Sequence, residues 1–447
     1  MNSYFNRSAS AAPLAVFRIM FGSLLFLSII RFWMKGWIEE LYIKPAFFFP
    51  FYGFEFIQPL GNYTYLLFIV CAVSAGLVAV GLFYRTAIIT LFMSFTYIEL
   101  IDKTTYLNHY YFISMICLLM IFLPANVYFS LDAKRHHRTI EQIPAWCTDS
   151  VKLFICLVYV FAGLAKINSD WLLHALPLRI WLPSKNDLPL IGPLFNKVWV
   201  AYAFSWAGCL YDLMVPFLLL YRPSRVYAYM IVIIFHVSTA ILFPIGMFPY
   251  IMIGTAIIFF SPEFHSRIIN RLRGIFGVHP CGYSQGVYSY RPLINRCVPG
   301  FLILFFVSQV ILPLRFLAYP GKLAWNEEGY RFSWRVMLME KTGYAQFTVR
   351  DSPEKYLIVN NNDFLTPLQE KMMAAQPDMI LQYAHMLRDY YKQHGFNSPE
   401  VYVESYVTVN GRLGKPMIGP DTNLAGEEDS FIHKQWILPF EDDIKDL

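Results

Sequence analysis

The chain begins MNSYFNRSASAAPLAVFRIMFGSLLFLSII (residues 1–30), and the reading of its apolar half decides the fold. Arg18 interrupts the apolar stretch, and the bulky RFWMKGW (31–37) follows where a signal peptide would present small residues for cleavage. The segment is therefore predicted to be a retained first membrane helix. The whole chain agrees. Of its 447 residues 56% are hydrophobic and 15% charged, with a mean hydropathy of +0.42, too apolar for a soluble globular protein.

Apolar runs long enough to cross a bilayer, about 17 to 25 residues, are read at 13–31, 64–83, 86–101, 106–124, 150–166, 199–221, 226–243, 246–260 and 299–318. The expected fold is a polytopic α-helical membrane protein of about nine spans, the third and eighth short. Arg85, AKRHHR (133–138), RPSR (222–225), Arg267, Arg271 and Arg273 then fall on the side of the amino terminus, which the positive-inside rule makes cytoplasmic. DKTTYLNH (102–109), the loop 167–197, FPIGMFPY (243–250) and everything after the ninth span face the exoplasmic side.

The tail differs in composition, with a net charge of about minus six against +5 for the whole chain. Residues 1–319 are predicted to form the transmembrane helical domain, and 320–447 a separate exoplasmic α+β domain, strand-rich with one long helix. VYVESYVTVNG (401–411) alternates Val401, Val403, Val407 and Val409 and ends in Asn410-Gly411, a strand entering a tight turn. YAQFTVRD (344–351) and KYLIVN (355–360) are further strand candidates. PDMILQYAHMLRDYYKQHG (377–395) spaces Ile380, Tyr383, Ala384, Leu387 and Tyr391 as a helix, capped at Asp378 and stopped at Gly395.

Cys71, Cys117, Cys156 and Cys209 fall in predicted spans and Cys147, Cys281 and Cys297 on the cytoplasmic side, so no disulfide framework is expected in the exoplasmic domain. CxxC, HExxH and GxGxxG are all missing from the sequence, which offers no support for a metal site, a nucleotide fold or a nucleic-acid partner. The short loops and cysteine-free tail point to a bacterial inner membrane, with the tail periplasmic.

Charged groups at membrane depth cost at least about 2.5 to 3.5 kcal/mol and are functional candidates by default. Asp212 lies in the sixth span and His236 in the seventh, where the two can pair between neighbouring helices. Asn108 and His109 open the fourth span, Asp102 and Lys103 precede it, and Lys166 in AGLAKINSDW (162–171) ends the fifth. Lys166 is either a snorkelling anchor or part of a site. The topology favours a site, because it brings Lys166, Asp102, Asn108 and His109 to one exoplasmic mouth with His236 beneath.

DKTTYLNHYYF (102–112), YVFAGLAKINSDW (159–171) and IIFHVSTAILFPIGMFPYIM (233–252) before FFSPEF (259–264) resemble blocks of the vitamin K-dependent gamma-glutamyl carboxylase family and its HTTM membrane domain. EEGYRFSWRVMLMEKTGYAQF (327–347) resembles the start of that family's lumenal domain. The chain looks like a shorter, bacterial-type homologue.

The resemblance implies that reduced vitamin K, a naphthohydroquinone, is oxidised by O2 to the epoxide, and that the strong base so formed removes a γ proton from a peptide glutamate, to which CO2 adds. It implies Lys166 as the catalytic base, Asn108, His109, Asp102 and His236 as further catalytic residues, and Tyr330, Ser333 and Trp334 at the glutamate site. Met247 and Phe248 are candidates for packing the quinone. Physical chemistry is consistent: a lysine in water is protonated near neutral pH, but an apolar mouth favours the neutral amine, which can deprotonate a hydroquinone.

Two departures from the family pattern bear on function. Ala165 stands where the animal enzymes have a second lysine. The His- and Arg-rich stretch after Trp334 is replaced by RVMLMEKTG (335–343), where Lys341 is the candidate cation for the substrate carboxylate and Glu340 repels an anion unless turned away. The chain also ends short of the long C-terminal region of animal members. Three readings remain open: a quinol-dependent peptidyl-glutamate carboxylase, a quinol oxygenase or epoxidase without carboxylation, and a non-catalytic membrane binding or assembly protein. The expected partners are membrane lipid, a lipid-soluble quinol and a glutamate-containing peptide or protein.

Overall fold

A computed structural model describes residues 7–277 and 283–441; the predicted cytoplasmic Cys281 lies outside these. The apolar runs form α1 (Ala12–Met34), α2 (Thr64–Val80), α3 (Tyr84–Leu100), α4 (Asn108–Phe122), α5 (Trp146–Ala165), α6 (Val198–Leu220), α7 (Arg225–Leu242), α8 (Phe248–Thr255) and, after α9 (Pro262–Phe276), α10 (Pro292–Leu314). Among the described residues six helices are long and apolar enough to cross a membrane: α1, α2, α5, α6, α7 and α10, two of them extended by helical turns at their ends. The chain is an integral membrane protein, mostly helical. α3 with 17 residues, α4 with 15 and α8 with 8 are shorter.

The first helix sets the packing. Arg18, which interrupts its apolar run, is fully buried. Its Nε donates to the Ala125 carbonyl at 3.0 Å, Nη1 to Val78 at 2.8 Å, and Nη2 to Phe129 at 2.7 Å, with a further bond from Nη1 to Ala79. These are carbonyls from the last turn of α2 and from the loop after α4, of which Val78 also accepts the Gly81 N–H at 3.1 Å. The arginine thus serves as a shared C-terminal cap, satisfying its own burial in the same bonds. One turn further on, a Cβ at Gly22 would come within 2.6 Å of the Ala79 nitrogen, so glycine permits the close α1–α2 crossing.

A three-stranded sheet that periodicity did not reveal clips the amino terminus to this end of the bundle. Its strands are β1 (Ser8–Ser10), β2 (Thr139–Pro144) and β3 (Tyr283–Val287), with β1 antiparallel and β3 parallel to β2.

The tail builds a second core on a four-stranded antiparallel sheet, ordered β5-β4-β6-β7. Its strands are β4 (Lys341–Ser352), β5 (Lys355–Ile358), β6 (Glu400–Val409) and β7 (Lys415–Pro416), with α11 (Pro367–Met373) and α12 (Pro377–Gln393) alongside. Val401, Val403, Val407 and Val409 point to one face, where they meet Ile380, Tyr383 and Leu387 of α12 and Phe347 of β4. One local expectation holds and one needs correction. Asn410 and Gly411 adopt left-handed backbone and Arg412 N donates to the Val409 carbonyl at 3.2 Å, closing the tight turn, after which β7 pairs opposite Tyr406 and Val407. The N-cap of α12 is Gln376, not Asp378.

Asp378 has a different task. It pairs with Lys103 at 2.6 Å and Arg331 at 2.8 Å, joining α12 to the α3–α4 loop. Burial would raise its carboxyl, but Arg331 and Lys103 outweigh burial and hold it well below the usual carboxylate range. Gln369 on α11 donates to Asp102 Oδ2 at 2.9 Å. On the other flank Arg412 forks onto Asp170 at 2.7 and 2.9 Å.

Two outcomes follow. Arg18→Met strands the carbonyls at the α2 terminus and is expected to cost at least ~3 kcal/mol, read as a lower melting temperature in lipid or detergent. Asp378→Asn leaves two cations facing a neutral amide, an expected loss of about 3 kcal/mol at neutral pH. A carboxyl depressed on folding stabilises fully above its unfolded value, ~3.9, and less as pH falls below it. The wild-type melting temperature should therefore fall more steeply below pH ~4 than that of the variant.

Candidate functional site

α5 ends at Lys166 because Asn168 starts the next helix, its Oδ1 accepting from the Trp171 nitrogen at 2.9 Å. Trp171 is fixed in turn by its indole nitrogen on the Ser205 carbonyl of α6, 2.8 Å away. Between α5 and α6 the backbones approach at Gly163, where a Cβ would meet the Leu213 side chain at 2.7 Å. This approach places Lys166 Nζ 2.7 Å from Asp212 Oδ2, with a second bond to the Ala162 carbonyl at 3.2 Å. Both side chains are 8% exposed. One reading of the sequence paired Asp212 with His236. Instead it takes Lys166, and His236 Nε2 meets the Tyr159 hydroxyl at 3.1 Å. Tyr211 extends that contact, its hydroxyl 3.4 Å from that of Tyr159.

Lys166, Asp212, His236 and Tyr159 line a chamber of about 110 Å³ whose remaining wall is apolar apart from Thr239, and includes Phe235, Phe243, Phe248 and Trp181. Among the described residues His236 Nδ1 is buried there without a partner. A flat aromatic ligand with a hydroxyl at its edge matches both properties: rings to pack against and an unsatisfied nitrogen to bond. The residues present therefore fit a naphthohydroquinone.

A larger chamber of about 740 Å³ adjoins it, sharing Trp181, Phe243, Ile245, Phe248, Val336 and Met337 as common wall. Asn108 and His109, at the start of α4, face this second space, as do Met247 and Tyr330. Asn108 is held by the Arg335 carbonyl, 2.9 Å from its Nδ2, and by the Tyr106 hydroxyl. Phe248 lies between the two histidines, its ring centroid 5.8 Å from that of His109 and 5.9 Å from that of His236. His109 and Lys166 thus line neighbouring chambers, not one.

Four predicted site residues have other surroundings. Asp102 lines neither chamber; it caps the turn at Thr104 and receives Gln369, and burial raises its carboxyl to about 6. Ser333 is buried with its hydroxyl on the Tyr330 carbonyl. Trp334 packs among Tyr111, Phe112 and Phe154. Lys341 lines the larger chamber but is engaged, 2.9 Å from Glu327 and 2.7 Å from the Trp325 carbonyl. Burial lowers its amine despite Glu327. Glu340 lines neither chamber.

The segment bearing these residues carries local strain. Glu327, Phe332, Trp334 and Met337 all have positive φ, between 52° and 59°, without being glycine. Such backbone costs on the order of 1 kcal/mol or more per residue and persists where surroundings enforce it, often at functional sites. Tyr159 was missed in the sequence although it lies seven residues before Lys166, on the same helical face. Arg335 was passed over because its surroundings depend on a loop path that no periodicity encodes.

Two known protein families match the chain. Residues 6–264 match the HTTM domain, and residues 294–443 match the vitamin K-dependent gamma-carboxylase, lumenal domain. No solved structure matches the chain. The HTTM match alone covers more than half of the chain, and the lumenal-domain match follows it in order. The chain belongs to the vitamin K-dependent gamma-carboxylase family.

Proposed function

We propose that the protein is a membrane quinol-dependent peptidyl-glutamate carboxylase, with the quinol in the small chamber and the glutamate side chain reaching it from the large one. The observation that carries this reading is the Lys166–Asp212 pair, buried in an apolar chamber that shares a wall with a larger one bearing arginine, lysine, Asn108 and His109. In this reading residues 1–319 form a transmembrane domain of about nine spans with the amino terminus cytoplasmic. Residues 320–447 and both chambers face the exoplasmic side of a bacterial inner membrane, where lipid, quinol and a glutamate-containing peptide meet.

Oxidation of reduced vitamin K by O2 to its epoxide supplies the strong base that no side chain provides. Lys166 and Asp212 start that chemistry by moving a proton. Transfer from Nζ to Oδ2 across 2.7 Å converts an ion pair into a neutral amine and a neutral acid, and burial penalises the charged arrangement on both partners. The amine then takes the proton of the quinol hydroxyl. The pair ends one proton richer, the acid on Asp212 and an ammonium facing the oxygen it has deprotonated. His236, positioned by Tyr159, holds a ring nitrogen toward the same ligand. In the larger chamber Asn108 and His109 act on the peptide side, where the γ proton leaves, its electron pair stays on carbon, and that pair forms the new bond to CO2. Met247 and Phe248 bound the passage.

A second reading, quinol epoxidation without carboxylation, is favoured by one observation: Lys341, the candidate receptor for the substrate carboxylate, is occupied by Glu327. The two are separated by an assay on the protein in lipid that follows quinone epoxide and labelled CO2 fixed into a glutamate-containing peptide. Carboxylation predicts both products, with both falling at least ~100-fold in Lys166→Ala. Asp212→Asn, which keeps the shape but cannot store the proton, is expected to lose at least ~10-fold in epoxide formation. Epoxide without fixed CO2 supports the second reading. Neither product contradicts both and leaves a membrane binding or assembly role.

A further inference from the structure

The larger chamber is walled by seven arginines and lysines, and three of these cations are already paired. Lys103 and Arg331 share Asp378, and Lys341 is held by Glu327. Arg335 is different. Among the described residues it has no carboxylate partner and its guanidinium makes no hydrogen bond; Nε is buried with no acceptor. The guanidinium carbon lies over the Phe316 ring, 4.4 Å from its centroid. Stacking of this kind holds the planar fork without consuming its donors.

Position adds to availability. The Arg335 carbonyl receives Asn108, and the next two residues, Val336 and Met337, are wall to both chambers. Left-handed backbone at Trp334 and Met337 fixes the loop on either side. A ligand carboxylate resting on this guanidinium is therefore beside the passage toward Lys166, not at the far end of the chamber. Arg31, at the end of α1, faces the same space, its guanidinium carbon 5.3 Å from the Trp37 ring centroid.

We propose that Arg335 is the receptor for the substrate's side-chain carboxylate in the larger chamber, with Arg31 as a second cation in its field. This deepens the carboxylase reading and rests on it for the identity of the substrate as a glutamate side chain. The γ carbon of glutamate is bonded directly to its carboxyl carbon, so a carboxylate receptor has to lie near the passage between the chambers; Arg335 directly precedes the shared wall residues Val336 and Met337, whereas Lys341 is held by Glu327. A fork of two N–H donors also stabilises the charge that spreads onto the carboxylate when the γ proton leaves, and arginine keeps its own charge throughout.

The test needs no turnover. Binding of a short glutamate-containing peptide, and of the same peptide with glutamine, is measured by calorimetry on the full chain in lipid nanodiscs without quinol. Wild type is expected to prefer the glutamate peptide by at least ~10-fold, Arg335→Gln to lose that preference, and Arg335→Lys, which keeps the charge but not the fork, to fall between. Equal binding of the two peptides by wild type, or wild-type preference in Arg335→Gln, overturns the proposal; the comparison within wild type and the lysine variant keep it testable if the glutamine variant does not fold. Selective peptide binding through Arg335 in a protein that fixes no CO2 would sink the carboxylase reading while leaving the carboxylate site standing. CO2 fixation that does not depend on Arg335 would do the reverse.

Discussion

Two opposite charges, Lys166 and Asp212, are held 2.7 Å apart where water scarcely reaches. Taking two ions out of water costs several kcal/mol each, and their attraction repays this only with good geometry and further hydrogen bonds. The surroundings answer that demand. Gly163 lets α5 and α6 come together, the Ala162 carbonyl takes a second bond from the ammonium, and Trp171 closes the space with its ring 5.4 Å from Nζ. A pair kept at such expense is weak evidence for stability, since an apolar pair of equal size often does as well. It is better understood as a proton store beside an apolar ligand site.

The tail contributes Val336 and Met337 to the wall of that site. Asp170, four residues after Lys166, is forked by Arg412, while Lys103, six residues before His109, is paired with Asp378. The same ion pairs that dock the second core onto the bundle therefore fix the two loops that carry the candidate chemistry. Between them runs the strained 327–337 segment, which supplies the common wall of both chambers and the unpaired Arg335. Stability and site geometry are coupled through one interface, so loosening the tail is expected to blur the passage before it unfolds the helices.

Much of this was legible in the residues themselves. Nine apolar runs each hold a helix, and the valine alternation of β6 and the helical spacing of α12 were read at the right places. Lys166, Asn108, His109, Met247 and Phe248 do line neighbouring chambers. What could not be read has a physical pattern. Partner choice between helices depends on rotation and crossing depth, so Asp212 was paired with the wrong neighbour. Asp102, Asp378 and Lys341 were assigned local or chemical roles, yet each is taken by a residue more than ten positions away. β1, β2 and β3 are short and separated by more than a hundred residues, leaving no periodic signal.

The central claim is that Asp212 stores the proton that lets Lys166 act as a base. Infrared difference spectroscopy on the protein in lipid, adding reduced quinol without O2, reads that proton directly. The account predicts a protonated carboxylic acid band that appears with quinol and is missing from Asp212→Asn. Quinol binding that leaves the carboxylate bands unchanged, or a new acid band that persists in the variant, would contradict it.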